Sequence, residues 1–464
     1  MSPATRSEVL PATPSTTTAA VPFWRTAVFW YLLAALNAVV VAGFWYTSSG
    51  HLVVRSSADF FNGLGRVTGL EGTYLVLLQL ALMSRLGWFE EAIGLERLAV
   101  LHRFNGYLAI GLLLAHAVFQ TIGYMLGDGY SVLGQLGDFI ANYEGLLAAI
   151  VGLLLMLTVV GISIGAARIR FSYETWYFIH LYSYVAVLLA FSHQLATGID
   201  FVRNPIFTDY WIGLYLLLIA VLAWFRIARP LLLFSRHRFW VHRVVKEGPG
   251  IHSIYIRGRD LAGFRVAPGQ FLIWRFLDEK RWWQAHPFSL SLPADGREMR
   301  LTVKNIGDYT ARLGGLRPGT PVLIEGPFGK FTEERATNPR VLLIAGGIGI
   351  TPLRALAESM AARGHDVVLL YRATRQRDVV FKEELDKLAA SGRIQVEYLL
   401  SEGPRQLRNR AAWFKSKTMR ELVPDIADRE VYICGPVGMT ETVTALLPEV
   451  GVDAARIHTE VFRY

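Results

Sequence analysis

Five long apolar runs in the first half of the chain constrain its fold more than any other feature of the sequence. Each is close to the roughly 20 residues that a helix needs to cross a lipid bilayer. The runs occupy residues 23–45, 101–125, 146–164, 176–195 and 210–225. A sixth run, 72–83, reaches spanning length only with residues 64–70. We therefore expect a six-helix transmembrane bundle within residues 21–234, preceded by a disordered tail at residues 1–20.

The composition removes several other classes of protein. Of the 464 residues, 52% are hydrophobic and 18% are charged, which excludes a disordered chain. A single cysteine excludes a disulfide framework and a four-cysteine iron–sulfur or zinc site. The net charge of +9 does not require a nucleic-acid partner, because many arginines lie at the ends of the apolar runs.

The loop charges predict the orientation in a cell membrane. Residues 123–143 contain Asp128 and Asp138 but no lysine or arginine. Loops on the opposite side contain Arg85, Arg97, Arg103, Arg168, Arg170, Arg226, Arg229, Arg236 and Arg238. Because lysine and arginine mark the cytoplasmic side, we expect a multi-pass protein with both termini in the cytoplasm.

The second half of the chain has the pattern of soluble domains. Short alternating runs separated by Pro-Gly and Asp-Gly turns predict an antiparallel β-barrel over residues 235–336. Strand-like runs that alternate with helical segments predict a doubly wound α/β domain over residues 337–464. The fold class is therefore a multi-domain membrane protein.

Four histidines lie within the apolar runs. His102 and His116 on the third span are 14 residues apart, and His180 and His193 on the fifth are 13 apart. Ionisable groups inside a membrane are costly and usually functional, although a lone histidine is often a packing residue. A helix bundle can hold haem between histidines on two helices. We expect His102 to pair with His180 near the cytoplasm and His116 with His193 near the outer face.

The 13-residue spacing leaves an open question about the fifth helix. Fourteen residues put two ligands about 21 Å apart and about 40° out of phase, whereas thirteen leave them about 140° out of phase. Either the fifth helix is locally overwound or its two haems approach from different directions.

These spans and histidine spacings resemble the ferric reductase/NADPH oxidase superfamily, in bacterial form with a ferredoxin-reductase-like FAD/NAD(P) module. The resemblance implies two b-type haems held by the four histidines. In animal NADPH oxidases a second histidine follows the outer ligand of the third span by four residues. Here that position is Gln120.

The resemblance also assigns the flavin site. The segment His286, Pro287, Phe288 and Ser289 matches the motif that lines the flavin, with Ser289 near its redox nitrogen. Lys304 and the turn Gly307, Asp308, Tyr309 and Thr310 match the turn that binds the pyrophosphate. The segment 326–329 matches the turn that closes the barrel.

The NAD(P) site is expected at two strand ends. Gly346, Gly347, Gly349, Thr351 and Pro352 follow one strand and open a helix, where glycines let the backbone approach a diphosphate. Cys434, Gly435 and Pro436 follow another strand, and in the family this cysteine lies beside the nicotinamide; a buried, inert cysteine is the alternative. A near-terminal aromatic covers the flavin, for which we choose Phe462 with Tyr464 in reserve. Arg372 and Arg375 favour NADPH over NADH.

We therefore expect an oxidoreductase that moves electrons from NAD(P)H through FAD and two haems to an acceptor outside, either oxygen, giving superoxide, or ferric chelates. Its expected partners are membrane lipid and that acceptor, with no nucleic acid and no obligatory protein partner. One alternative is an electron-donor subunit for quinone or a periplasmic protein. Another, from a different class, is a histidine-lined channel or transporter with a nucleotide-sensing module.

Overall fold

The computed structural model describes residues 22–50, 55–165, 173–402 and 414–461. The predicted tail, Arg168, Arg170, Phe462 and Tyr464 lie outside these ranges. The helices of the first half are α1 Ala27–Trp45, α2 Ser57–Leu82, α3 Gly87–Ile93, α4 Leu95–Asp128, α5 Val132–Asn142, α6 Leu146–Gly165, α7 Tyr173–Thr197, α8 Ile199–Arg203, α9 Pro205–Ala223 and α10 Arg229–His237.

Five helical segments of the described chain are long and apolar enough to cross a membrane, and each overlaps one of the five predicted runs. The second predicted span is less clear. α2 has 26 residues and passes the same test only together with α3, from which it is bent by 91°. The described residues thus contain five candidate spans, or six if this bent pair counts as one, and six stays a prediction.

Glycines allow α2 and α4 to pack closely. A Cβ atom at Gly65 would lie 2.8 Å from the Gln120 side chain, and one at Gly72 would lie 3.0 Å from Leu113. Small residues at such positions let the backbones of membrane helices approach each other. The low hydropathy of this span therefore reflects the glycines and polar groups that α2 presents to α4.

Two three-stranded antiparallel sheets follow, built from β1 Trp240–Gly248, β2 Ile251–Arg257, β3 Phe271–Phe276, β4 His286–Ser289, β5 Met299–Lys304 and β6 Val322–Phe328. Their strand orders are β1-β2-β5 and β4-β3-β6, and α11 Asp308–Arg312 follows β5. Isolated bridges at Trp240–Pro321 and Leu290–Leu301 link the sheets around a shared apolar core. The six strands fit the predicted barrel, whose closure stays a prediction.

The last part of the chain is a parallel sheet covered on both faces. Its elements are β7 Arg340–Gly346, α12 Ile350–Ala362, β8 Asp366–Ala373, α13 Lys382–Ala390, β9 Ile394–Leu400, α14 Ser416–Leu422, β10 Glu430–Gly435, α15 Val437–Leu446 and β11 Ile457–Val461. The strand order is β11-β10-β7-β8-β9, and every pairing is parallel. α12 and α13 pack on one face and α14 and α15 on the other. The order reverses between β7 and β10, and ligands of such sheets bind where it does.

Candidate functional site

The four membrane histidines form two pairs between α4 and α7. The ring centroids of His102 and His180 are 6.0 Å apart, and those of His116 and His193 are 6.4 Å apart. These are the pairs that the sequence predicts. Fourteen residues of α4 separate the pairs by about 21 Å along the helix.

The centroid distances within the two pairs, 6.0 and 6.4 Å, can be compared with those expected for two histidines that bind one metal ion. Two imidazole rings that each place a nitrogen about 2.1 Å from one shared metal ion have centroids at most about 6.5 Å apart, so both pairs are close enough to hold an ion between them. Among the described residues no group of three or more His, Cys, Asp or Glu side chains could hold a metal ion. Each pair therefore offers two ligands, which suits an iron whose other positions a porphyrin fills.

Hydrogen bonds from α2 fix the orientation of both α4 histidines. Nδ1 of His102 donates to the carbonyl of Gln79 at 3.2 Å, and Nδ1 of His116 donates to that of Gly65 at 2.7 Å. A carbonyl can only accept, so the proton is on Nδ1 and the lone pair of Nε2 is free to bind a metal. The two acceptors are 14 residues apart on α2, as the histidines are on α4. Sequence reasoning missed this role of α2, because main-chain acceptors leave no mark in residue type.

The two α7 histidines differ in their surroundings. Nδ1 of His180 lies 3.2 Å from Oγ of Ser163 on α6. His193 lies near the backbone of Ala190, and its buried Nδ1 makes no well-formed hydrogen bond within the described part of the chain. α7 is an α-helix from Tyr173 to Thr197, without a break between its two histidines.

The predicted NAD(P) residues meet at the point where the strand order reverses. A Cβ atom at Gly349 would lie 2.3 Å from the carbonyl oxygen of Cys434, and one at Gly346 would lie 2.6 Å from Sδ of Met439. Gly347 has φ +56° and open space beside it. Thr351 Oγ1 donates to the carbonyl of Ile348 at 3.1 Å where α12 begins. The glycines thus bring the start of α12 against the carboxyl end of β10, where Cys434, Gly435 and Pro436 lie.

Cys434 is expected to resist alkylation in the folded protein. It is fully buried, and burial with the nearby Glu460 carboxylate raises the pKa of its thiol well above the ordinary value. Because the thiolate is the reactive form, iodoacetamide at pH 8 should leave the folded chain unlabelled and should label the chain in urea. Mass spectrometry reads the result without ambiguity because Cys434 is the only cysteine. Labelling of the folded chain as fast as in urea would contradict this environment.

The structure brings the flavin motif to the end of the parallel sheet. Ser289 is buried, and its Oγ donates to Oε1 of Glu460 at 3.5 Å. Glu460 is paired in register with Cys434 across β10 and β11. Residues assigned from sequence to the flavin and to the nicotinamide therefore share one neighbourhood. The place of Phe462, expected to cover the flavin, falls outside the described residues.

The predicted pyrophosphate turn lies against the flavin motif. The ring of Tyr309 stacks on that of His286 with centroids 3.8 Å apart. The Thr310 hydroxyl accepts from the backbone of Ile306 and Gly307 at 3.0 and 3.1 Å, so it holds the turn itself. The neighbouring Lys304 and Asp308 side chains are exposed, as is Pro287.

Two buried donors near this turn suit an anionic group. The hydroxyl of Tyr309 and Nε of Arg275 are buried and have no hydrogen-bond partner in the described ranges. Buried polar groups without partners are rare, and phosphate oxygens would satisfy both. Sequence reasoning missed Arg275, which lies in the middle of β3 and outside every motif. The residues present fit the flavin pyrophosphate.

The two arginines expected at the adenosine ribose differ. Arg372 lies near the end of β8, with its guanidinium 5.5 Å from the ring centroid of Phe414. Arg375 forms an ion pair with Glu402. A 2′-phosphate would have to compete with that carboxylate for Arg375.

Segment 325–330, here named the docking turn, joins the soluble half to the membrane helices. Glu325 forms an ion pair with Arg85. The Gly329 N–H donates to Oε1 of Glu90 at 3.0 Å, and Nζ of Lys330 donates to the carbonyl of Ala92 at 2.9 Å. A second contact lies at the start of α7, where Nε2 of Gln284 donates to Glu174 at 3.1 Å. Both contacts lie at the His102–His180 end of the bundle.

Comparison with models of known protein families identifies two parts of the chain. Residues 68–191 match the model of the ferric reductase like transmembrane component, and residues 343–445 match that of the oxidoreductase NAD-binding domain. The chain carries a ferric reductase-like transmembrane component. This component is followed by a ferredoxin-reductase-like FAD/NAD(P) module, as the sequence predicts.

Curated relatives match part of this ferric reductase-like chain. The probable dihydroorotate dehydrogenase B (NAD(+)) electron transfer subunit of Methanothermobacter thermautotrophicus is 31% identical over 46% of the chain and 74% of its own length. The NADPH oxidoreductase of Mycobacterium tuberculosis is 28% identical over 51% of the chain and 62% of its length. The flavohemoprotein of Vibrio cholerae is 31% identical over 38% of the chain and 45% of its own length. The chain thus covers less than two thirds of the last two.

One solved structure similar to the ferric reductase-like chain is the FAD/NAD-binding domain of nitric oxide dioxygenase from Vibrio cholerae. It is 26% identical, with a TM-score of 0.41, over 48% of this chain and 98% of that domain. The family matches make the chain a membrane oxidoreductase whose module binds FAD and NAD(P).

Proposed function

We propose that the chain moves electrons from cytoplasmic NAD(P)H through FAD and two b-type haems to an acceptor on the outer face. The main observation behind the proposal is that two pairs of histidines face each other between α4 and α7. Their ring centroids are 6.0 Å apart in one pair and 6.4 Å apart in the other, and the pairs lie at different heights along the helices. When bound, the flavin accepts hydride from the nicotinamide and the haems carry single electrons. NADPH is the donor that we propose, with NADH as the alternative.

The residues of the chain position these groups. Gly346, Gly347 and Gly349 bring the backbone to the nucleotide, and Cys434 with Ser289 lines the place where nicotinamide and flavin meet. His102 and His180 hold the haem nearer the reductase module, and His116 and His193 hold the other. The docking turn fixes the module at the entry end of this route. The excess of arginine in the loops at that end supports a cytoplasmic position for the module.

Docking should be sensitive to Glu90. Glu90→Ala removes a buried carboxyl group that accepts from the Gly329 N–H, and leaving such a buried donor without a partner costs about 2 kcal/mol. We expect reduction of the haems by NAD(P)H to slow about tenfold or more, while NAD(P)H-driven reduction of a soluble dye by the flavin is unchanged. The matched control is Glu91→Ala, because Glu91 is more exposed and pairs with Arg25. Equal haem reduction in the two variants would argue against the docking role.

The acceptor is tested with membranes that contain the full chain. NADPH or NADH is supplied, and dismutase-sensitive reduction of a superoxide probe is compared with formation of Fe(II) from a ferric chelate. The proposal predicts one or both products. Fe(II) formed at an undiminished rate without superoxide removes oxygen as the acceptor. If neither oxygen nor the ferric chelate is reduced, the result favours an electron-donor subunit for quinone or a periplasmic protein.

An absorption spectrum separates electron transfer from the channel or transporter alternative. Purified protein should show b-type haem bands that shift when dithionite is added. If the purified protein contained bound flavin but lacked these bands, the proposed electron route would be excluded. The channel or transporter, in which the histidines line an ion path, would then be favoured.

A further inference from the structure

We propose that Ser163 and Trp176 position His180 and set the electron density that it gives to the haem nearer the reductase module. This proposal rests on the haem ligation proposed above. It concerns three side chains on two helices, Ser163 on α6 and Trp176 and His180 on α7.

The proton inventory of these three side chains fixes the direction of each hydrogen bond. Oγ of Ser163 donates its one proton to the carbonyl of Val159 at 2.7 Å, because a carbonyl can only accept. Nε1 of Trp176 can only donate, and it lies 3.2 Å from Oγ of Ser163, to which it donates a hydrogen bond. Nδ1 of His180 also lies 3.2 Å from Oγ of Ser163 and must therefore donate to the second lone pair of this oxygen. Ser163 thus holds the proton of His180 on Nδ1 and leaves Nε2 to the metal.

Trp176 limits the rotation of the same imidazole. It lies one helical turn before His180, and its ring centroid is 5.2 Å from the imidazole centroid with an angle of 31° between the planes. The imidazole therefore has a hydroxyl at Nδ1 and an indole beside its face. Both restrain the direction in which Nε2 points.

His180 differs from the other histidines in the kind of acceptor it meets. His102 and His116 donate to backbone carbonyls, which no side-chain change removes. His193 makes no such bond that the described residues show. Hydrogen bonding at Nδ1 raises the basicity of a ligating histidine, and more basic ligation favours the oxidised metal. Ser163 is therefore the place where a side chain can adjust the potential of one haem without the other.

Trp176 also lies between two contacts with the reductase module. Glu174, two residues before it, accepts from Gln284, and the ring of Phe178, two residues after it, is 5.4 Å from that of Trp283. The first two turns of α7 thus carry both the contacts with the module and the residue that restrains His180. Ser163 and Trp176 would therefore act on the haem site nearer the module.

The experiment is a redox titration of the purified full chain, followed by optical and electron paramagnetic resonance spectra of the haems. Ser163→Ala removes the acceptor of His180, and Ser163→Thr keeps a hydroxyl there. We expect Ser163→Ala to raise the reduced-to-oxidised ratio of one haem up to about tenfold at fixed potential, which is about 59 mV for one electron. That haem should be the one retained in His193→Leu. Ser163→Thr should restore the parent value, and Trp176→Phe should alter the resonance signal of the same haem.

Thr158→Val is the matched control, because Thr158 lies on the same helix and its hydroxyl, among the residues that the structure describes, donates to the carbonyl of Leu154 and does not contact a histidine. Loss of one haem in Ser163→Ala, with retention in Ser163→Thr, also supports positioning. Unchanged potentials in Ser163→Ala, or equal losses in the alanine and threonine variants, overturn the proposal. Absence of haem from the parent protein would instead refute the proposed function.

Discussion

Substitution of His193 by leucine should halve the haem bound per flavin and reduce turnover of the outer acceptor at least 100-fold. The second pair has its rings 6.4 Å apart across α4 and α7, and leucine offers no nitrogen to complete it. Leucine is close to histidine in size, so α7 should still pack against α6. NAD(P)H should still reduce the flavin and the remaining haem, because the docking turn and the His102–His180 pair are unchanged.

The measurement combines pyridine-haemochrome and flavin assays with acceptor turnover. His242→Leu, at a histidine of β1 in the reductase module, should keep both haems. His116→Leu should reproduce the loss seen with His193→Leu. Two haems of unchanged spectrum in His193→Leu would refute the assignment of this ligand.

Substitution of Gly349 by alanine should reduce flavin reduction by NAD(P)H at least 100-fold. The new methyl group would lie 2.3 Å from the Cys434 oxygen, 2.5 Å from its carbonyl carbon and 2.8 Å from Cα of Gly435. All three are backbone atoms, so the start of α12 must move away from β10. Overpacking typically costs about 1–3 kcal/mol, and here the displacement also opens the junction where the nucleotide would bind.

Stopped-flow reduction of the flavin measures this effect, with haem content as a check that the membrane half is intact. Gly438→Ala is the matched control, because an added methyl group there would meet no other side chain or neighbouring element of the described chain within 4 Å. Wild-type flavin reduction in Gly349→Ala would show that the close approach of α12 to β10 is not needed for binding.

Local patterns carried much of the fold and the candidate site. The apolar runs gave five of the spans, and the strand–helix alternation predicted the parallel sheet. The 14- and 13-residue spacings predicted which histidines face each other. These features can be predicted because hydropathy and helical periodicity depend only on the residues of a single helix or strand.

Contacts between distant segments were harder to predict. The acceptors for His102 and His116 are main-chain atoms, which leave no mark in residue type. The Glu90–Gly329 hydrogen bond joins residues 239 positions apart, and segment 326–329 had been interpreted only as the turn that closes the barrel. The ion pair between Arg375 and Glu402 joins residues 27 positions apart, and no local pattern in the sequence signals it.

The matched carbonyls of α2 have a consequence for how this family member can vary. Substitutions on α2 leave both acceptors in place, so residue identity there is free to drift wherever packing permits. An insertion or deletion of one residue between Gly65 and Gln79 would rotate one acceptor about 100° away from its histidine. Selection must therefore preserve the length of this segment as well as the glycines that let it approach α4.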